Sequence, residues 1–87
     1  MADGGLLARV TVTPKRGILD PQGKAVQQSL HALGFPEVGD VLVGKFVELR
    51  LRDVDRNAAM ARVRAMCEQL LANGVIEDFR IEIAEGA

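Results

Sequence analysis

The chain has 87 residues and a mass of 9.4 kDa, which suits one small domain. Eleven Lys and Arg against twelve Asp and Glu leave a net charge of −1, without the basic excess of a dedicated nucleic-acid binder. A single Cys excludes an intramolecular disulfide and a cysteine-based zinc site. The chain also has one His and no Tyr or Trp, so it lacks most side chains from which small active sites are built. We therefore expect a single domain over residues 1–87, frayed at 1–6 and 85–87, without a complete active site or a metal site of its own.

The composition also bears on location. No apolar run approaches the roughly 18 residues of a membrane span, and residues 1–5 lack the basic region of a secretory signal. A single unpaired Cys suits a reducing compartment. We expect a cytoplasmic protein that binds neither membrane nor nucleic acid, and its small size favours association with other chains.

The first predicted elements are a strand and a helix. Residues 7–13 alternate apolar and polar side chains, which predicts a half-buried strand. A loop follows over residues 14–19, with Pro and Gly as breakers. Asp20 can cap a helix that begins at Pro21, because Asp accepts free backbone amides and Pro suits the first helical position. Apolar residues at helical spacing extend this helix over residues 21–33.

A second helix and a last strand are predicted in the C-terminal half. The helix starts at a cap provided by Asp53 or Asp55 and ends before the Asn73-Gly74 pair. Residues 78–83 alternate again and predict the last strand. One apolar stripe follows the helix and consists of Ala59, Val63, Met66, Cys67, Leu70 and Leu71.

Residues 38–52 permit two interpretations. Gly44-Lys45 suits a hairpin turn, which would give the βαββαβ order of ferredoxin-like folds. Alternatively, the segment is one long strand kinked at Gly44. The alternation of apolar side chains favours the long strand, because Val or Leu occupies the odd-numbered positions 41, 43, 47, 49 and 51, which share one face of a continuous strand. About fourteen residues at about 3.3 Å each would span more than about 40 Å, so we expect a second copy of the chain to pair with part of this strand.

The expected fold is therefore α+β in two layers, with two helices packed on an antiparallel sheet. The element order is β-α-β-α-β, in which the middle strand is long and kinked at Gly44, or split into two strands. We expect dimerisation to complete the sheet.

Three segments together form a pattern specific to one family. Residues 14–26, 43–49 and 67–79 resemble, in order and spacing, the signatures of the PurS family. This family is the small subunit of the multi-subunit formylglycinamide ribonucleotide amidotransferase (phosphoribosylformylglycinamidine synthase). The resemblance covers roughly residues 7–83. The chain departs from the family pattern at three positions where Arg, Pro and Tyr are common, namely Leu42, Gly74 and Phe79.

The resemblance implies a role in the fourth step of de novo purine biosynthesis. The complex converts formylglycinamide ribonucleotide, ATP and glutamine into formylglycinamidine ribonucleotide, ADP, phosphate and glutamate. ATP, Mg and glutamine are then used on a large synthetase subunit and a glutaminase subunit, and this chain binds no cofactor. The small subunit is implied to bridge those two partners, to support ammonia transfer, and to form dimers or tetramers.

Eight residues are candidate partner contacts: Lys15, Arg16, Gly17, Asp20, Gln22, Lys45, Glu77 and Asp78. Lys15, Arg16 and Gly17 could instead suggest an anion-binding loop. The carboxylate of Asp20 would repel a phosphate there, however, and the loop lacks the glycine spacing of a P-loop. We expect no catalytic residue. Cys67 lies on the apolar stripe and is predicted to be structural, and His31 lies near a helix end where the dipole favours a cation.

Two other classes of protein share this plan. A ligand-binding regulatory module of ACT type also places two helices on an antiparallel sheet and dimerises, and it would hold a small molecule at its dimer interface. An RNA-binding module needs aromatic residues on its central strands for base stacking, and Phe46 alone is available there.

Overall fold

Three strands and two α-helices make up the fold, which a computed structural model describes for residues 5–17 and 19–85. The predicted β-α-β-α-β order is confirmed. A π-helical turn, Cys67–Leu71, directly continues the second helix. The elements are β1 (Leu6–Pro14), α1 (Pro21–Ala32), β2 (Lys45–Leu51), α2 (Arg56–Met66) and β3 (Glu77–Glu85).

Leu6 and Glu85 face each other as a pair in the antiparallel ladder of β1 and β3. The prediction of frayed ends at residues 1–6 and 85–87 falls largely on residues 1–4 and 86–87, which lie outside the described residues.

β1 is the central strand of an antiparallel sheet with the order β2-β1-β3. Its predicted alternation is confirmed, because Ala8, Val10 and Val12 are fully buried on the face that meets α2. Val10 lies between Val47 of β2 and Ile81 of β3 in the register. The hydrophobic core is therefore built on one face of β1.

The other face of the sheet carries charged side chains. Arg9 Nε lies 3.5 Å from Glu48 Oε2, and Arg9 Nη1 lies 3.8 Å from Glu82 Oε1. These ion pairs join all three strands, since the three residues are opposite one another in the register. Because they are exposed, they contribute little to stability.

α2 packs against β1 and β3 on the core face of the sheet. Of the two predicted caps, Asp55 is the one that forms, and its carboxylate accepts a backbone N–H of the first turn at 2.8 Å. Asp53 lies in the preceding turn with a φ of 58°. Ala59 and Val63 in α2 and Cys67 at the start of the π turn recur every four residues and are fully buried.

Leu70 departs from the predicted stripe. The Ala72 N–H donates to the Cys67 carbonyl oxygen at 2.9 Å, which is the i to i+5 hydrogen bond of a π turn. In a regular α-helix Leu70 would lie within about 60° of Cys67. The wider turn rotates Leu70 outward, so that it is 82% exposed while Leu71 remains partly buried. The prediction that Leu70 belongs to the buried stripe is wrong.

The middle strand is seven residues long (Lys45–Leu51), shorter than the strand predicted over residues 38–52. No hairpin forms within this segment. A Cβ at Gly44 would overlap the Val12 carbonyl oxygen, so only glycine lets the chain approach β1 this closely. Residues 38–44 find no strand partner within the described chain.

α1 projects away from the sheet. Gly23 is its only buried residue, and among the described residues at most isolated contacts join α1 to the strands. The following loop folds back on the helix. Gln27 Nε2 donates to the Gly39 carbonyl oxygen at 2.7 Å, and His31 Nε2 lies 2.8 Å from the Val38 carbonyl oxygen. The radius of gyration is 16.7 Å, against about 12 Å for a compact chain of this length. In one chain, therefore, α2 packs on the sheet and α1 stands apart.

Val63→Ala tests the core. Val63 is fully buried, so the loss of two methyl groups and the resulting cavity should lower the free energy of unfolding by about 2 kcal/mol. Val75→Ala removes the same atoms from a side chain that is 81% exposed and should cost less than about 0.5 kcal/mol. Urea unfolding followed by circular dichroism, at one protein concentration, measures both variants. Equal losses would contradict this assignment of the core.

Candidate functional site

Lys15, Glu77 and Asp78, three of the predicted contact residues, lie together at one end of the sheet and are called the sheet-end cluster. Lys15 Nζ lies 2.8 Å from Asp78 Oδ1. The backbone N–H of Lys15 donates to the Ile76 carbonyl oxygen at 2.9 Å, and the Glu77 carboxylate accepts the Asn73 N–H at 2.8 Å. The cluster is exposed enough to meet a partner, and its backbone is held by hydrogen bonds on both sides.

Asp20 joins the start of α1 to the segment before β2. Its Oδ1 accepts the N–H groups of Gln22 at 3.1 Å and Gly23 at 3.0 Å, which confirms the predicted cap. Its Oδ2 accepts the Val43 N–H at 2.9 Å. These donors, chiefly Val43 and then Gly23, hold the pKa of Asp20 below its ordinary value of 3.8, because they stabilise the ionised carboxylate. A Cβ on Gly23 would overlap the Val41 carbonyl oxygen, so glycine is required where the two segments touch.

An open cleft of about 590 Å³ lies beside this junction. The loop that leads to it turns at Gly17, whose φ is +84°. Two carboxylates and two cations share the lining, so the cleft does not select for an anion and suits a polar protein surface. Its lining includes Arg16, Leu19, Asp20, Lys24, Asp40 and Leu42.

Lys45 is the first residue of β2 and lies opposite Val12. β2 is an edge strand, and the side of it that faces away from β1 has no partner among the described residues. A Lys at such an edge disfavours indiscriminate strand pairing. Lys45 is exposed, so it remains available to a specific partner.

Cys67 and His31, the two residues best suited to nucleophilic catalysis, are kept apart by the fold. Cys67 is fully buried in the core, as predicted, and burial raises the pKa of its thiol. His31 is exposed on the projecting helix α1. Within residues 5–17 and 19–85, no group of three or more His, Cys, Asp or Glu side chains could hold a metal ion.

Two surface features escaped the sequence analysis. One is the ion-pair row of Arg9, Glu48 and Glu82, whose proximity depends on strand register. Alternation alone could place each of them on an outward face, but could not bring them together. The other is the exposure of Leu70 and Val75, two large apolar residues near the end of α2.

A sequence profile of the PurS family, described as phosphoribosylformylglycinamidine (FGAM) synthase, matches residues 7–85. The chain belongs to the PurS family. The phosphoribosylformylglycinamidine synthase subunit PurS of Bacillus subtilis is 49% identical to it over 77 residues, which cover 88% of this chain and 90% of that protein.

Solved PurS structures share the fold. The chain is 32% identical to the crystal structure of Methanocaldococcus jannaschii PurS, one of the subunits of formylglycinamide ribonucleotide amidotransferase in the purine biosynthetic pathway, with a TM-score of 0.80 and coverage of 94% of this chain and 99% of that one. A chain in the structure of PurLQS from Thermotoga maritima superimposes with a TM-score of 0.77 at 24% identity, covering 93% and 98% of the two chains. The predicted resemblance to PurS is confirmed, and these matches favour it over the ACT-type alternative.

The PurS signature segments have a structural explanation. Residues 14–26 contain the cap Asp20, and residues 43–49 begin at Val43, whose N–H this carboxylate accepts. Two signatures that are far apart in the sequence therefore meet at one side chain. The third, residues 67–79, forms the π turn and the first residues of β3.

Asp20→Ala tests this junction. The substitution removes the acceptor of three backbone N–H groups, so amide hydrogens at the start of α1 should exchange roughly fivefold faster, while those of β1 and β3 keep their protection. Hydrogen exchange followed by NMR measures this, with Asp40→Ala in the same cleft as the control. The pKa of Asp20 is lowered in the folded state, so ionised Asp20 stabilises the fold. This contribution to stability should be complete above its ordinary pKa of 3.8 and lost as the pH falls through the lower folded value. Equal exchange rates in the two variants would contradict the junction.

Proposed function

We propose that this chain is the small, non-catalytic subunit of phosphoribosylformylglycinamidine synthase in de novo purine biosynthesis. The observation that carries the proposal is the PurS match over residues 7–85, nearly the whole chain. The complex would convert formylglycinamide ribonucleotide, ATP and glutamine, with water, into formylglycinamidine ribonucleotide, ADP, phosphate and glutamate. A relative is one of the subunits of this amidotransferase.

In this proposal the other subunits supply the chemistry. The large synthetase subunit would use ATP and Mg, and a glutaminase subunit would release ammonia from glutamine. A glutaminase triad needs an accessible, activated thiol near a base. Cys67 is buried, and burial raises the pKa of its thiol, which supports placing that chemistry on another chain.

The chain would act by bridging the synthetase and the glutaminase and by supporting ammonia transfer between them. Polar groups are presented by the sheet-end cluster, by Arg16 in the loop that follows Lys15, by Gln22 in the first turn of α1, and by Lys45 at the strand edge. The T. maritima structure is of a PurLQS assembly. We propose the cytoplasm as the location; neither described helix is long and apolar enough to cross a membrane.

Self-association is the second part of the proposal. α2 packs on β1 and β3, and the core-facing side chains of β2 are only partly buried, as are those of β3. Those of β2 are Val47, Leu49 and Leu51. On the projecting helix and its loop, Leu33 is 73% exposed and Phe35 is also exposed. A second copy can cover both surfaces and pair with the open edge of β2, which would give a dimer or a tetramer.

Reconstitution tests the assembly role. The synthetase and glutaminase subunits of the same organism are mixed with and without this chain, and product formation is measured with either glutamine or ammonium chloride as the nitrogen source. We expect the glutamine-dependent rate to require this chain and the ammonium-dependent rate of the synthetase to change little. Equal glutamine-dependent rates in both mixtures would refute the proposal.

Analytical ultracentrifugation tests the self-association. We expect a mass of at least twice 9.4 kDa at micromolar concentration, because the apolar surface of α1 and β2 is covered by another copy. Leu33→Asp with Phe35→Asp should shift the mass toward the monomer, whereas Leu70→Asp, an equally exposed leucine in the π turn outside α1 and β2, should not. A wild-type monomer would rule out this surface as a self-contact.

A further inference from the structure

Three arginines line a second cleft, which lies where β2 ends beside α2. Arg50 belongs to β2, Arg52 follows that strand, and Arg62 comes from α2. The cleft has a volume of about 530 Å³, within the range of about 300–1,000 Å³ that small-molecule sites occupy. We call it the arginine cleft. None of the eight predicted partner contacts lines it.

The bend between β2 and α2 shapes one wall of the cleft. Asp53 has a φ of 58°, in the left-handed region that residues other than glycine seldom adopt. Asp is one of the few side chains that tolerate this conformation. The bend carries Arg52 and Val54, on either side of Asp53, to the same cleft as α2.

The lining carries net positive charge, in contrast to the chain as a whole. Three Arg and one Asp give the arginine cleft a formal charge of +2, whereas the chain carries −1. Arg52 and Arg62 are exposed and form no ion pair with any residue in the described part of the chain. In the cleft beside Asp20, by contrast, two carboxylates balance two cations. The arginine cleft therefore selects for an anion.

The charge and the donor geometry favour a phosphate monoester. Such a group carries about −1.5 to −2 at neutral pH and offers three acceptor oxygens, which matches the charge of the lining. Each guanidinium can bind phosphate through two parallel N–H groups. A carboxylate of a protein side chain carries only one negative charge and is satisfied by a single guanidinium. It would leave the second arginine without a partner.

The rest of the lining is apolar and consists of Leu51, Val54 and Met66. Met66 follows Arg62 by four residues, so the two side chains lie on the same face of α2. Small-molecule sites combine a few charged groups with apolar walls of this kind, and a methionine thioether makes favourable contacts with aromatic rings. A nucleoside 5′-monophosphate has both matching parts, a dianionic phosphate and an aromatic base.

We propose that the arginine cleft binds a nucleoside 5′-monophosphate. Arg52 and Arg62 hold the phosphate. Val54 and Met66 contact the base. Asp53 opposes the phosphate and limits the affinity, because like charges repel. The site gives this chain a ligand of its own, in addition to the assembly role proposed above, and neither proposal depends on the other.

NMR titration of the full chain with adenosine 5′-monophosphate tests the site. Arg52→Ala and Arg62→Ala should each raise Kd at least about tenfold, because each removes a charge-assisted contact with the phosphate. Arg16→Ala, which removes an exposed guanidinium from the other cleft, should leave Kd unchanged. Adenosine, which lacks the phosphate, should bind at least about tenfold more weakly, and high salt should weaken the binding of the monophosphate.

Asp53→Asn moves the affinity in the opposite direction. Asn also tolerates the left-handed conformation, and the loss of the opposing carboxylate should lower Kd about threefold. The melting temperatures of the Arg52→Ala and Arg62→Ala variants should equal that of the wild type, because both side chains are exposed.

Three results would overturn the proposal. The first is a wild-type chain that does not respond to millimolar adenosine 5′-monophosphate, and the second is one Kd shared by the Arg52, Arg62 and Arg16 variants. The third is loss of self-association or of binding to the other subunits in the Arg52 and Arg62 variants, without nucleotide binding by the wild type, which would identify a protein carboxylate as the occupant. The assembly role is tested separately, by the glutamine-dependent rate.

Discussion

β1 is the strand on which the rest of the fold depends, because within the described chain β2 and β3 each pair only with it. Its inward side chains are small, and Ala8, Val10 and Val12 are fully buried. Small side chains let a helix approach the sheet closely, and α2 meets them with Ala59 and Val63, also fully buried. The backbone pairing on both edges of β1 and the apolar contact on one face therefore come from the same nine residues.

One helix cannot cover three strands. α2 has eleven residues, and a helix about 10 Å wide spans about two strands that lie about 4.8 Å apart. It lies over β1 and β3, and the core-facing side chains of both edge strands, β2 and β3, remain only partly buried. α1, which would complete the layer in a compact two-layer fold, instead projects outward and leaves Leu33 exposed. The surface left uncovered in one chain is the physical basis for the proposed self-association.

The best-connected polar side chains stabilise the backbone rather than a reacting group. Asp20 accepts three backbone N–H groups, and the Asn73 side chain accepts one in the turn before β3. Cys67, the residue with the most reactive type of side chain, is buried where its pKa is raised. Hydrogen-bonded loops that display exposed side chains suit the proposed role as a subunit that bridges other proteins.

The strands, helices and caps followed from the sequence because alternation, helical spacing and the Asp20 cap depend on residues close together in the chain. The sequence by itself also determined the family, since three signature segments occur in order. Only the tertiary structure decided that residues 38–44 form no strand in one chain, because a strand requires a neighbour to pair with. It also decided that Lys15 meets Asp78, 63 residues away, through the register of β1 and β3, and that Leu70 is exposed, because a single hydrogen bond shifted by one residue rotates it out of the stripe.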